Sequence, residues 1–298
     1  MAVSTKAIKE RLRSIKASGK VTKAMQLIAA AKMRKAVARA VSSRIYAEEV
    51  LSLARDLSKR VTLDNSDYLN RFVGGTKGSE EKEKHLLVVV SSNRGLCGAF
   101  STNIGKAALH FLEEHGTENV EVVALGKKAF AYLAVRGVKV SRLFLKEDDP
   151  KSAEPILSLA DYLHYKVKEG KAGRVTILFT KFKSSMVQEP QFLQMFPFAA
   201  KNEGTGVVGI AQDSDIRLEP DAREILDGLI SAIGESVLFQ TLLESNASEQ
   251  SARMMAMQQA TKAAGEMFDE LQLIFNKARQ SSITQELAEI SAGRAALN

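Results

Sequence analysis

The side chains best suited to nucleophilic or metal chemistry in this 298-residue chain are one cysteine, Cys97, and four histidines, His85, His110, His115 and His164. No HExxH or histidine–cysteine spacing joins them, so a zinc site lacks a ligand set. A single cysteine also excludes a disulfide framework. Standing at the head of a helix with no paired histidine, Cys97 reads as a small packed residue rather than an activated thiolate. The turn Ser91-Ser92-Asn93-Arg94-Gly95-Leu96-Cys97-Gly98 has two glycines three apart. It lacks the third glycine of a dinucleotide fingerprint and the lysine of a phosphate loop, and reads as a tight strand-to-helix turn. Gly19-Lys20 has no upstream glycine or strand. Met254, Met255 and Met257 sit at helical spacing and read as a helix seam rather than a soft-metal groove. The expectation is therefore no catalytic residue, no cofactor and no metal.

Composition narrows the class. The chain has 42 Lys+Arg against 35 Asp+Glu, a net +7, with 45% apolar and 26% charged residues, which excludes global disorder. No run approaches 18 consecutive apolar residues, so no membrane-spanning helix is expected. The N-terminus has no apolar core of a secretory signal. Charge is unevenly placed: residues 1–60 carry 15 Lys/Arg and 4 Asp/Glu, whereas residues 219–298 carry 6 and 12. The two ends attract each other, and each can address a different partner. Nucleic acid is one partner for the basic stretch; solvation of a long helix is the other explanation.

The ends also share a periodicity. All five prolines (Pro150, Pro155, Pro190, Pro197, Pro220) lie between residues 150 and 220, so both ends are free to be uninterrupted helices. Alternating spacings of four and three from Ile8 give Leu12, Ile15, Gly19, Thr22, Gln26, Ala29, Met33, Ala36, Ala40, Ser43, Ala47, Val50, Ala54 and Leu57. This seam is mostly small, which allows close helix approach. Met25, Ile28, Val37, Val41 and Ile45 form a second apolar stripe. At the other end Met254, Met257, Thr261, Ala264, Phe268, Leu271, Phe275 and Ala278 keep the same spacing, and the seam extends back through Ala247, Leu243, Ile233, Leu229 and Leu226. Past Ala278 the phase breaks. Matching seams of opposite charge predict a long antiparallel coiled coil of the N- and C-terminal helices, residues 1–60 and 219–298. The longer C-terminal helix is expected to project alone by roughly 30 Å.

Between them the period changes. Leu86–Val90, Val120–Leu125 and Val175–Phe179 are short continuous apolar runs, which predict strands buried on both faces. Helical stretches at 98–114, 127–136 and 152–169 alternate with them. Residues 85–218 therefore read as a central Rossmann-like α/β domain with a mostly parallel sheet. Residues 61–84 read as a solvated connector, and 183–220 as an edge strand with loops.

Four segments, KVTKAMQLIAAAKMRKA (20–36), SSNRGLCGAFSTN (91–103), NASEQSARMMAMQQAT (246–261) and NKARQSSITQEL (276–287), resemble the gamma subunit of the F-type rotary ATP synthase. The likeness spans essentially the whole chain. It implies a central shaft that catalyses nothing itself, couples proton-driven rotation of a membrane ring to ATP synthesis or hydrolysis, and turns inside a head of three alpha and three beta subunits. It also implies an epsilon subunit and the c-ring as partners, no nucleic acid and no direct membrane insertion. Lys20, Lys23 and Met25 match the segment facing the moving lever of beta. Arg253 falls in the ARMxAM segment, Arg279 and Gln280 match the ARQ pair against a beta loop, and Thr284 and Glu286 lie in the adjoining ITQEL. Leu218, Glu219 and Pro220 match the contact near the ring.

The sequence departs from that pattern in places. Gly19 stands where the family usually has glutamine, at a helical cost of ~1 kcal/mol. Leu218 replaces an aromatic, Arg294 puts a charge near the tip, and the chloroplast form's cysteine-bearing insertion is missing. The motif begins near Met1, so no presequence is expected, and the resemblance implies a peripheral protein on the cytoplasmic face of a bacterial membrane. Two rival readings are a coiled-coil protein with a nucleic-acid-binding arm and a small-molecule enzyme with a pocket near Asn93–Gly98.

Overall fold

The computed structural model describes residues 5–60, 67–73, 84–198, 219 and 222–296. In chain order these form α1 (Thr5–Arg60), α2 (Asp67–Val73), β1 (His85–Val90), α3 (Phe100–His115), β2 (Val120–Leu125), α4 (Lys127–Ala134), β3 (Val140–Phe144), α5 (Glu154–Lys168), β4 (Arg174–Phe182), β5 (Gln188–Phe196) and α6 (Ala222–Ala296). The chain divides into two compact units. One comprises residues 1–29 and 253–298, the other residues 30–252.

In the first unit, the start of α1 lies antiparallel against the second part of α6. The Thr261 hydroxyl donates to Thr22 Oγ1 at 2.9 Å, and a Cβ added at Gly19 would sit 3.5 Å from Ala264 Cβ. Lys16 Nζ lies 5.9 Å above the Phe268 ring. The α1 partner number thus rises as the α6 number falls. Ile8, Leu12, Ala29 and Met257 are buried, and Ile15, Thr22, Phe268, Leu271, Phe275 and Ala278 are half-buried. Within this unit every described member of the seam read from spacing is buried or half-buried. The second stripe largely faces outward: Met25 and Val37 are half-buried, whereas Ile28, Val41 and Ile45 are 58%, 53% and 67% exposed, uncovered among the described residues. From Ile283 to Arg294 every α6 residue is exposed, as expected where the phase breaks and α1 has already ended.

In the second unit, five strands order as β3-β2-β1-β4-β5, parallel except for β5, which runs antiparallel to β4. β1 alternates between two cores. Leu86, Val88 and Val90 face α5, α2 and the part of α6 from Leu226 to Leu242, whereas Leu87 and Val89 face α3 and α4. That is the double burial which continuous apolar runs require. Two elements were not legible. Asp67–Val73, inside the expected connector, is a helix burying Leu69, Phe72 and Val73; a single turn pair is too short to show periodicity. Val140–Phe144 is a strand whose middle residues are exposed; at the sheet edge it needs no apolar run. The rest of the connector (61–66, 74–83), residues 199–218 and the tip residues Leu297 and Asn298 lie outside the described residues. Helix α6 also holds one 18-residue window apolar enough by length and composition to cross a membrane, against expectation, but nearly half of that window is buried inside the protein.

At the amino end of the sheet, His85 joins β1 to β4 through a 2.8 Å contact with Thr176 Oγ1. Its ring meets Phe111 edge-on at 4.9 Å, and His115 at 5.3 Å. Burial, then the nearby His115 and Arg174 charges, lower the His85 pKa from 6.5 to about 4. The imidazole is therefore neutral in the fold but takes a proton in the unfolded chain below pH 6.5. Stability is full above that value and declines as pH falls toward about 4. A melting-temperature series across this window should slope downward toward acid, and His85→Gln should flatten it.

Candidate functional site

In an open α/β sheet, ligands bind outside the carboxyl ends of the strands, where the strand order reverses. Here that reversal lies between β1 and β4. The turn after β1 is tight: Leu96 and Gly98 both take positive φ, 62° and 56°. Cys97 is 3% exposed, with its sulfur 3.7 Å from Ser92 Oγ and 3.8 Å from Ser101 Oγ. It is packed as a small residue, and no histidine stands within this set of contacts.

Protein side chains occupy the carboxyl edge itself. Thr241 to Ser251 of α6 are all buried, and most are polar. Glu244 Oε2 accepts from the Phe182 amide at 3.1 Å, and Ser248 Oγ donates to the Thr180 carbonyl at 3.1 Å. The Phe182 amide and the Thr180 carbonyl both belong to the end of β4. Ser251 Oγ donates to the Ser185 carbonyl at 2.8 Å in the turn beyond it. The same turns of α6 reach the segment after β3, where Asn246 Nδ2 donates to the Glu147 carbonyl at 3.2 Å. Arg44 of α1 closes the set, its Nε donating to Glu244 Oε1 at 3.0 Å. The edge where a nucleotide would enter is thus a hydrogen-bonded joint between sheet and helix. Sequence reasoning passed over Arg44, Glu244 and Ser248. The signal was present in Ser236, Gln240 and Gln250, which interrupt an otherwise apolar seam. Among the described residues no group of His, Cys, Asp and Glu is arranged to hold a metal ion.

The residues matched to the gamma pattern fall on separate surfaces. Lys20 and Lys23 are exposed on α1, Lys23 Nζ donating to Gln26 Oε1 at 3.2 Å; Met25 is half-buried beside them. Arg253 is half-buried on α6. Arg279, Gln280, Thr284 and Glu286 share one exposed stretch of α6, where Thr284 Oγ1 donates to the Gln280 carbonyl at 2.9 Å. Gly19 pairs with Ala264, so the Arg279 stretch lies some fifteen residues, about 22 Å, further along the helix than the Lys20 surface. Glu219 is exposed in a bend, and Leu218 and Pro220 lie outside the described residues.

Comparison with known proteins decides the family. The ATP synthase family matches residues 4–297. The chain is 35% identical over 296 residues to the ATP synthase gamma chain of Nitrosococcus oceani, covering 99% of each chain. This chain belongs to the ATP synthase gamma chain family. An Acidovorax gamma chain is 36% identical over 294 residues, 98% of this chain and 99% of its own length. Among solved structures, a chain of the Euglena gracilis mitochondrial ATP synthase, in a structure of its OSCP, F1 and c-ring, aligns with a TM-score of 0.68 at 19% identity, covering 98% of this chain and 94% of that one. A central-stalk and c-ring structure from Tetrahymena thermophila gives 0.59, also at 19%, over 80% of this chain and 99% of that one. These structural likenesses establish the fold. Gamma chains are the non-catalytic central-stalk component of the synthase, and the occupied sheet edge suits a member of that family.

Proposed function

We propose that this gamma-family chain is the rotor shaft of an F-type ATP synthase, converting rotation of a proton-driven c-ring into the sequential binding changes of three beta catalytic sites. The observation that carries the reading is the end-to-end match to gamma chains. Moving one charge down 100 mV releases only about 2.3 kcal/mol, so several steps must be accumulated per ATP. A stiff body that couples distant sites mechanically meets that need without chemistry of its own. The alpha and beta subunits surround the terminal helices (1–60 and 219–298). The epsilon subunit and the ring meet the central domain (85–218), with 61–84 as connector. In a bacterium this places the chain at the cytoplasmic face of the cell membrane, attached through the membrane sector.

Lys20, Lys23 and Met25 then face the moving lever of beta, Arg279 and Gln280 meet a loop of beta, Arg253, Thr284 and Glu286 belong to the same rotor–stator contact, and Leu218, Glu219 and Pro220 approach the ring. The uncovered Ile28, Val41 and Ile45 support a role in which other subunits supply the missing contact. Arg279 suits a carboxylate partner because its guanidinium offers a planar fork of donors.

Co-purification with alpha and beta subunits, followed by ATPase assay with and without this chain, tests the reading. A head equally well assembled and equally active without it would refute the proposal. Arg279→Ala should leave the isolated chain's stability within about 0.5 kcal/mol of wild type, since the residue is exposed. In the complex it should lower turnover, since truncation leaves the carboxylate partner on beta without its guanidinium.

A further inference from the structure

The loop that follows β3 is tied to three other parts of the same compact unit. Lys146 is 3% exposed, and its ammonium is paired with Glu249 of α6, also buried. The Lys146 carbonyl accepts from Asn93 Nδ2 in the turn after β1. The next carbonyl, Glu147, accepts from Asn246 of α6. Asp148 lies 3.5 Å from Arg94. Asp149 pairs with Arg39 of α1, whose Nη1 also donates to the Pro150 carbonyl at 3.3 Å. Lys146, Glu147, Asp149 and Pro150 thus hold this loop to both long helices, and Asp148 ties it to the turn after β1.

The placement of these bonds around α6 is informative. Asn246 and Glu249, three apart, share one side of the helix and reach the loop after β3. Glu244, Ser248 and Ser251, spaced four and three, reach the end of β4 and the turn beyond. Helix α6 is therefore held along two edges. Turning it about its own axis would stretch the bonds on one edge and compress those on the other. Apolar packing is non-directional and lets ridges slide. A buried ion pair adds little net stability over an apolar replacement, and its best-attested use is to fix register.

We propose that Lys146 and Glu249 are positioning residues for energy coupling: their buried pair fixes the rotational register of α6 on the central domain, so that torque entering the domain passes into the helix without slip. The inference rests on the rotor reading above. Both are buried side chains that act through the helix they hold.

The test uses inside-out vesicles carrying the complete synthase, with ATP hydrolysis and ATP-driven proton uptake read on the same sample. The Lys146→Met/Glu249→Leu double variant keeps the volume and removes both charges together, which such sites usually tolerate. It should assemble, and the protons taken up per ATP hydrolysed should fall severalfold, most steeply against an established gradient. A role confined to folding would lower the amount of assembled complex and leave that ratio untouched; a wild-type ratio overturns the inference. Glu249→Gln is isosteric and keeps one hydrogen bond to Lys146. It serves as a second reading of the same ratio, with the same criterion, should the double variant fail to assemble. Wild-type vesicles that hydrolyse ATP without any dependence on this chain would instead overturn the rotor reading, and the inference with it.

Discussion

Lys146→Met should lower the unfolding free energy of the chain by about 3–5 kcal/mol, the effect of leaving one buried charge without its partner. The magnitude follows from burial. The Lys146 and Glu249 side chains are 0% and 3% exposed, so water cannot solvate the carboxylate that remains. Desolvation, not lost attraction, dominates. The double variant with Glu249→Leu should recover most of the loss, because no charge is then stranded. Urea denaturation at constant m-value distinguishes the two cases. Equal losses in the single and double variants would mean that the pair is held by packing around its stems rather than by its charges. The Phe100 ring, centred 5.9 Å from Lys146 Nζ, adds too weak a contact to substitute for the carboxylate.

Most of the architecture was legible because it is repetitive. A seam that returns every three or four residues over fifty positions leaves little freedom in which face is buried, and the inward residues from Ile8 to Ala54 follow the series. The three apolar runs mark β1, β2 and β4 because a strand between two helical layers has no outward side. The same logic explains the failures. β3 is an edge strand with Ser141, Arg142 and Leu143 exposed, so neither alternation nor a continuous run marks it. α2 is seven residues long; Leu69, Phe72 and Val73 give its apolar face, yet the polar and glycine-rich sequence beyond it dominates the composition. The stripe of Ile28, Val41 and Ile45 has helical spacing but is uncovered among the described residues, and periodicity alone does not say who covers a face.

The candidate functional residues were legible in a different way. Among the described residues, the hydrogen bonds of the Arg279–Glu286 stretch stay within its own helix, and only the resemblance to gamma chains drew attention to it. The joint at the sheet edge is the opposite case. No motif announces Lys146, Glu244 or Glu249, because each is an ordinary charged residue until the fold brings its partner from a hundred or more positions away. What sequence does carry there is an anomaly. The stretch Thr241–Ser251 places two glutamates and several hydroxyls in the middle of an otherwise apolar seam, and a buried polar run must find partners.

Gly126→Ala should cost about 3–5 kcal/mol of stability. Gly126 links β2 to α4 with φ at 112°, outside the range an L-residue adopts without strain. A Cβ there would lie 2.4 Å from the Ser91 carbonyl oxygen and 3.0 Å from Ser91 Oγ. The nearest obstruction is backbone, and it cannot swing aside. Ser91 is itself fixed, since its amide donates to the Leu125 carbonyl at 2.8 Å and its hydroxyl accepts from the Ala129 amide at 2.8 Å. Relief would require β1 and the start of α4 to separate, breaking both bonds. Gly137 supplies the control, because its φ is 77° and no heavy atom lies within 4 Å of the added Cβ. Gly137→Ala should therefore incur backbone strain alone, about 1 kcal/mol. The difference between the two variants in denaturant midpoint isolates the clash with Ser91. Near-equal losses would mean that strain, not close approach of β1, requires glycine at position 126. The close approach also bears on function: it draws the ends of β1 and β2 together beneath the turn that carries Asn93, whose amide holds the Lys146 carbonyl. A Gly126→Ala chain that still folds should consequently show weakened coupling of the kind expected on removing the Lys146–Glu249 pair.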